Sequence, residues 1–276
     1  MRVRIIDAFT DRPYAGNPAV VVLLDGADWP ADEWMQRVAA EFGLSETAFA
    51  RPLPASTADW GLRWFTPVVE DDLCGHATLA TAHALASDTP AAGARTIRFA
   101  TRSGVLPAHL AADGSITLDL PAAPAEDAAV PPGLVEALGA TPVSAHTTGR
   151  LRDLLVVLPD EDSVRTLDPD SAALAAVTRR DHIRGITATA AAAAAGDYDF
   201  VSRFFSPADG LPEDPVTGSA HTALAPFWAG RLGRDRLTGL QASRRSSLVH
   251  TEVHGDRVHV AGRAVTVLDG TWLALP

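Results

Sequence analysis

The chain contains no lysine: all 23 of its basic residues are arginine, in a sequence of 276. With no lysine amine available to form a Schiff base, pyridoxal phosphate chemistry of the usual kind is excluded, and the sequence indicates no cofactor. Cysteine is almost absent too. Cys74 stands alone, so there is no internal disulfide and no cysteine-rich zinc site, in keeping with a reducing compartment. Positive charge is scarce: the formal net charge is -11, and the arginine pairs 179–180 and 244–245 are too short to build the basic stripe that nucleic acid requires. No apolar run approaches the roughly 18 to 20 residues that span a bilayer, and Met1 to Ala8 enters a strand pattern rather than a signal-peptide core. The expectation is a cytoplasmic protein with neither membrane nor nucleic acid as partner. Dinucleotide and phosphate-loop glycine fingerprints are missing, and Gly218-Ser219-Ala220-His221 does not fit the serine-hydrolase elbow. His76 and His83 lie seven apart without a third ligand, and the other histidines form no recognisable metal-ligand spacing, so no metal site is expected.

What the sequence does contain is itself twice. Arg63-Trp64-Phe65-Thr66-Pro67, followed by Glu70-Asp71-Asp72-Leu73-Cys74-Gly75-His76-Ala77-Thr78, returns as Arg203-Phe204-Phe205-Ser206-Pro207, followed by Glu213-Asp214-Pro215-Val216-Thr217-Gly218-Ser219-Ala220-His221. Each copy reads as a β-run, an acidic turn, a glycine and an Ala-rich helix. The first turn of a helix has unpaired N–H donors at the positive end of its dipole, and glycine lets a ligand approach the backbone closely. Two such helix starts facing one cleft would bind a carboxylate. A single copy would more simply be an ordinary strand-to-helix turn; the pair makes that reading weaker.

A hydrophobic fraction of 47% with 21% charged residues describes a globular chain, and the repeat offset of 140 (Arg63 to Arg203) favours two similar lobes. Val3 to Phe9 and Ala19 to Leu24 read as strands, Asp32 to Phe42 as a helix ended by Gly43, and Gly75 to Ala86 as a helix buried on most faces. Arg95 to Ala100, Gly104 to Leu110 and Ser115 to Leu120 read as successive strands, and Leu154 to Leu158 restarts the β pattern. The Pro/Ala-rich stretch from Pro121 to Pro132 is the linker candidate. The lobe boundary therefore falls near residue 120, with an N-terminal lobe over 1–120 and a C-terminal lobe over 121–264. The alanine run from Ala190 to Ala195 reads equally as helix by propensity or as a surface loop.

Positions at which the halves differ mark directional chemistry. By the same offset, Glu46 in Ser45-Glu46-Thr47-Ala48 falls opposite Ile186, so only one lobe supplies this acid. Near a helix-terminal anion site such a glutamate could shuttle a proton at neutral pH; alternatively it is a capping or salt-bridged surface acid. His76 is matched by Ser219 and Cys74 by Thr217, whereas Asp71 and Asp214 share their place. His76 reads as a neutral imidazole serving a substrate or as a satisfied core histidine. Asp214 reads as a site residue or a helix cap, and Ser219 as a site residue or merely a small one.

Taken together, Asp7-Ala8-Phe9-Thr10, Gly16-Asn17-Pro18-Ala19-Val20, Ser45-Glu46-Thr47-Ala48-Phe49, Leu73-Cys74-Gly75-His76-Ala77-Thr78 and Glu213 to Ala220 resemble the phenazine biosynthesis PhzF-like isomerase family, end to end. The resemblance implies an α/β fold similar to that of diaminopimelate epimerase. Its two pseudo-symmetric lobes are each a curved, mostly antiparallel sheet wrapped around a central helix, with the site between them. It further implies that the C-terminal strand, about 265–276, completes the first lobe, that the protein is a homodimer, and that Glu46 moves a proton within a small carboxylate substrate. His76, Asp214 and Ser219 match residues that line the family's pocket, while Gly75, Gly218, Cys74 and Thr217 frame the carboxylate site. Cys74 opposite Thr217 departs from the cysteine pair of the epimerases and speaks against two-thiol racemisation. After Gln241 the chain has Ala242-Ser243-Arg244-Arg245-Ser246-Ser247 in place of the family's Gly-rich stretch, which speaks against the phenazine substrate itself. The rival readings are an epimerase or lyase on the same scaffold and a non-catalytic carboxylate-binding protein.

Overall fold

The computed structural model describes residues 1–274 apart from 27, 55–57, 90–92 and 194–195. Its contacts divide the chain into two units, Met1–Leu120 with Ala261–Pro276, and Pro121–Val260.

The first unit holds β1 (Arg2–Ala8), β2 (Asn17–Leu23), α1 (Asp32–Phe42), β3 (Glu46–Pro52), β4 (Trp60–Phe65), β5 (Glu70–Asp71), α2 (Gly75–Asp88), β6 (Arg95–Thr101), β7 (Gly104–Leu110), β8 (Ile116–Pro121) and the last strand of the chain, β18 (Ala264–Thr271). The sheet runs β18-β1-β2-β3-β4-β6-β7-β8, antiparallel except at β2–β3 and β4–β6. β2 is buried along almost its whole length, as expected for a strand covered on both faces. On one face α1 packs Met35, Val38 and Ala39 against Val20, Val22, Phe49 and Phe65. The other helix, α2, is in contact with β1, β2, β3, β7 and β18 and is buried from Gly75 to Ala82, so it is the central helix of the unit. α1 ends at Gly43 in the left-handed region (φ 62), which only glycine enters without strain.

The second unit repeats the plan with β9 (Glu126–Ala128), α3 (Leu134–Leu138), β10 (Ser144–Thr147), β11 (Leu154–Val157), α4 (Glu161–Arg165), α5 (Ser171–Arg180), β12 (Ile186–Ala191), β13 (Phe200–Ser206), β14 (Leu211–Asp214), α6 (Gly218–Leu232), β15 (Arg236–Gln241), β16 (Ser247–His254) and β17 (Arg257–Gly262). Its sheet runs β9-β10-β11-β12-β13-β15-β16, with parallel pairs at β11–β12 and β13–β15 where the first unit has β2–β3 and β4–β6. Leu134, Leu138, Val164, Leu174 and Val177 of the short helices pack with Leu154, Val156, Ile186 and Phe205. The apolar side of α6 packs Leu224, Phe227 and Trp228 against Leu155, Phe200 and Phe204.

The stretch from Pro121 to Pro132, expected as a linker, is not bare chain. Glu126–Ala128 forms β9 and pairs with β10 as β18 pairs with β1, because an outer strand there satisfies the edge of the sheet. Of the alanine run, Ala190 and Ala191 complete β12, opposite Val201 and Phe200, so sheet pairing overrides helix propensity there. Residues 194 and 195 lie outside the described residues. Among the described residues no helix is long and apolar enough to cross a membrane.

The repeated arginine and glutamate have a structural purpose in both units. Arg63 donates through Nε and Nη2 to Glu70 at 2.7 and 2.6 Å, and Arg203 does the same to Glu213 at 2.6 and 2.9 Å. Each guanidinium also lies over the phenylalanine two residues on, Phe65 at 5.2 Å and Phe205 at 5.0 Å. These two-pronged pairs pin the acidic turn to the strand that precedes it, which fixes where the following helix begins.

Candidate active site

In the first unit, Cys74 is the residue before α2, with φ -129 and ψ 114, and Gly75 and His76 open the helix. Thr78 donates its hydroxyl to the Cys74 carbonyl at 2.5 Å. His76 is buried, its Nδ1 3.4 Å from the Cys74 sulfur and its Nε2 3.4 Å from Ser45 Oγ, and Ser45 in turn donates to Asn17 Oδ1 at 3.0 Å. One assignment of protons satisfies this string: thiol to Nδ1, Nε2–H to the serine oxygen, and serine hydroxyl to asparagine. Burial depresses the His76 pKa to about 3, so the imidazole is neutral at physiological pH. Glu46 follows Ser45 directly and begins β3, at 5% exposure, paired with Ala19 in the register of β2. It is not a surface acid.

In the second unit, Thr217 takes the place of Cys74, with φ -105 and ψ 95, and Gly218 and Ser219 open α6. Here the cap carbonyl accepts from His221 Nδ1 at 2.8 Å, which leaves the proton off Nε2. Thr217 donates its hydroxyl to Asp214 Oδ2 at 2.5 Å instead of turning it onto the helix. Gln241, at the end of β15, completes the loop: Oε1 accepts the Thr217 N–H at 2.7 Å, and Nε2 donates to the Asp214 carbonyl at 2.9 Å and to Thr217 Oγ1 at 3.1 Å. Ser219 Oγ lies 3.2 Å from Nη2 of Arg184, whose guanidinium grips Asp153 through two bonds of 2.8 and 2.7 Å.

α2 and α6 differ from the other helices in how they begin. Asp160 and Asp170 cap α4 and α5 through their side chains, while α1 and α3 carry acids in the first turn. α2 and α6 have neither a side-chain cap nor a first-turn acid, although their opening residues are buried. Among the described residues, neither the side chain that precedes α2 or α6 nor an acid in the first turn answers the helix dipole.

Within the first unit the structure gathers Glu46, Cys74, Gly75 and His76, and within the second Asp214, Thr217, Gly218 and Ser219. Asn17 and Ser45 were visible in the sequence as parts of motifs but without a partner. Gln241, Arg184 and Asp153 were missed, and nothing in their local sequence gives them away, because each acts on a residue 24 to 35 positions distant in the chain.

The family model for phenazine biosynthesis-like proteins, PhzC-PhzF, matches residues 6–270. An uncharacterized isomerase of Pseudomonas aeruginosa is 46% identical over 270 residues, covering 96% of each chain, and a second from the same organism is 46% identical over 265, covering 96% of this chain and 95% of its own. Among solved structures, a phenazine biosynthesis protein of the PhzF family from Enterococcus faecalis superposes with a TM-score of 0.85 at 37% identity, covering 99% of both chains. With relatives named isomerases and a matching fold over 99% of its length, the chain belongs to the PhzC-PhzF family of phenazine biosynthesis-like proteins.

Proposed function

We propose that this protein is a cofactor-independent isomerase that moves a proton within a small carboxylate substrate, with Glu46 as both base and acid. The observation that carries the reading is the buried start of α2 and of α6, with no capping side chain at Cys74 or Thr217 and no acid in the first turn, against the capped or acid-bearing starts of the remaining α-helices. N–H groups around Gly75-His76 and Gly218-Ser219 bind the carboxylate and hold the negative charge that develops beside it. Glu46 takes a proton from carbon as the electron pair moves towards the carboxylate, then returns it to another carbon on the same face. Only the positions of a hydrogen and a double bond change. His76, neutral through burial, and Asp214, set by Thr217, orient the substrate or relay protons, and Ser219 offers its hydroxyl.

The stretch in which the chain departs from its family borders this loop. Ser243 donates to the Pro215 carbonyl at 2.7 Å and accepts from the Ser246 N–H at 3.1 Å. Changed residues so near Asp214 and Thr217 favour a carboxylate other than the phenazine precursor. The same reading carries the expectation of a homodimer, which sedimentation measures.

A melting-temperature screen of cyclic and amino-carboxylates identifies ligands, since a compound bound only by the folded state stabilises it. Solvent-deuterium incorporation during turnover of the best ligand, compared between wild type and Glu46→Gln, then tests the mechanism. A loss of about 10²- to 10⁴-fold is expected for a general acid-base residue; turnover unchanged in the variant defeats the reading. Product stereochemistry separates isomerisation from epimerisation and elimination.

A further inference from the structure

The tip of the β16–β17 hairpin collects two imidazoles and a carboxylate that the proposed chemistry does not use. β16 ends at His254 and β17 starts at Arg257, joined through Gly255 (φ 61) and Asp256. Along these strands Val249, Thr251, Val258 and Val260 are buried, so the two-residue alternation turns Glu252, His254 and His259 to the opposite face. One donor atom from each of the three lies within 4.8 Å of the others. His254 Nε2 is 3.4 Å from Glu252 Oε1, and the two imidazole rings are 4.2 Å apart between centroids, tilted by 46°.

From this geometry we propose that Glu252, His254 and His259 form a surface binding site for a divalent transition-metal ion, zinc foremost, separate from the proposed catalytic residues. Metal–ligand bonds of about 2.0–2.2 Å around a tetrahedral ion place its donors roughly 3.3 Å apart. The Glu252–His254 separation already meets that spacing, and a side-chain rotation of His259 brings the third donor in. Two nitrogens and one oxygen are a borderline donor set that suits zinc, nickel or copper and is poor for magnesium or calcium, which prefer all-oxygen shells. Water fills the fourth position. The chain carries its own competitor for the carboxylate: Arg236 Nε lies 2.9 Å from Glu252 Oε1, on a side chain that is largely exposed. A metal ion therefore has to displace a surface ion pair of small worth.

The sequence hides this site. Glu252, His254 and His259 are spaced as neither a helix nor a finger would space them, and only the hairpin reversal makes neighbours of residues on two strands.

The test uses untagged protein stripped with a chelator and titrated with zinc against a chromophoric competitor. One equivalent of zinc binds per chain at this site, and millimolar magnesium or calcium does not displace it. Replacing both histidines, His254→Ala with His259→Ala, removes that equivalent, and Glu252→Gln weakens it by more than about tenfold, a loss that even supporting partners of a metal ligand produce. Arg236→Gln, which removes the competing guanidinium, binds zinc more tightly than wild type, a gain that damage to the fold cannot imitate. Zinc binding that survives the double histidine substitution, or magnesium competing as well as zinc, overturns the proposal.

Discussion

Gln241 holds Thr217 from both sides: its side-chain oxygen accepts the Thr217 N–H at 2.7 Å, and its nitrogen donates to the Thr217 hydroxyl at 3.1 Å. Both residues are buried, so no water substitutes for these bonds. Gln241→Ala removes the acceptor of the buried Thr217 N–H, at about 1–3 kcal/mol for such a group. A urea titration is expected to show that loss. In the same variant the affinity for any carboxylate found by screening falls, because the loop that starts α6 is released.

Asp153 and Arg184 form a two-pronged pair in which the aspartate is almost fully buried. Asp153→Ala strands a largely buried guanidinium beside Ser219 and is expected to cost about 3–5 kcal/mol. Adding Arg184→Met, which removes the stranded charge, recovers a substantial part of that loss. A double-mutant cycle on unfolding free energies reads the coupling, and purely additive losses would contradict this account.

Acid should destabilise the protein through two buried histidines. Burial lowers the pKa of His76 to about 3 and that of His221 to about 4, the latter against the opposing effect of its hydrogen bond to Thr217, from 6.5 for both. Between pH 6.5 and 4 the unfolded chain binds these protons and the folded chain does not, so stability rises with pH across that window. It is intact above the window and declines on acidification, with each histidine contributing a slope of about 1.4 kcal/mol per pH unit. Urea midpoints from pH 7 down to pH 5 measure it. His221→Gln should flatten the slope, and a slope unchanged in that variant would assign the acid sensitivity elsewhere.

Gly239 pairs with Phe200 across the parallel strands β13 and β15, and the phenylalanine ring covers it. A methyl group at this position would lie 2.4 Å from Phe200 Cε2 and 3.1 Å from His221 Nε2. Gly239→Ala is therefore expected to destabilise by about 1–3 kcal/mol through overpacking. Combining it with Phe200→Leu, which withdraws the ring edge, restores part of the loss in a thermal melt. Failure of the second change to compensate would mean that backbone rather than ring gives way.

Much of the architecture was readable because its causes are local. Asp32 to Phe42 shows helical spacing and a stop at Gly43, and both appear as expected. The duplicated Arg…Glu turns followed by glycine mark the start of each central helix, since a strand, a pinned acidic turn and a helix start all lie within about 20 residues of chain. β9 was not readable: three residues in a Pro/Ala-rich stretch carry too little pattern, and only the unpaired edge of β10 calls them into the sheet.

Of the candidate site, residue types and positions came from the motifs, while their surroundings did not. Glu46 reads as a surface acid or as a proton carrier until β3 is placed beside β2 and the residue is found buried, and what the two nitrogens of His76 meet, Ser45 and Cys74, is visible only in the structure. The linear sequence determined the duplication, the central helices and the single acid that one half has and the other lacks, because periodicity and turn chemistry act between near neighbours. Tertiary structure alone decided that Gln241 binds Thr217, that Arg184 reaches Ser219, and that Glu252 meets His254 and His259. The Gln241 and Arg184 contacts join segments far apart in the chain, the Glu252 cluster depends on the hairpin reversal, and strand pairing over long separations is set by the burial of the whole sheet rather than by any short segment of it.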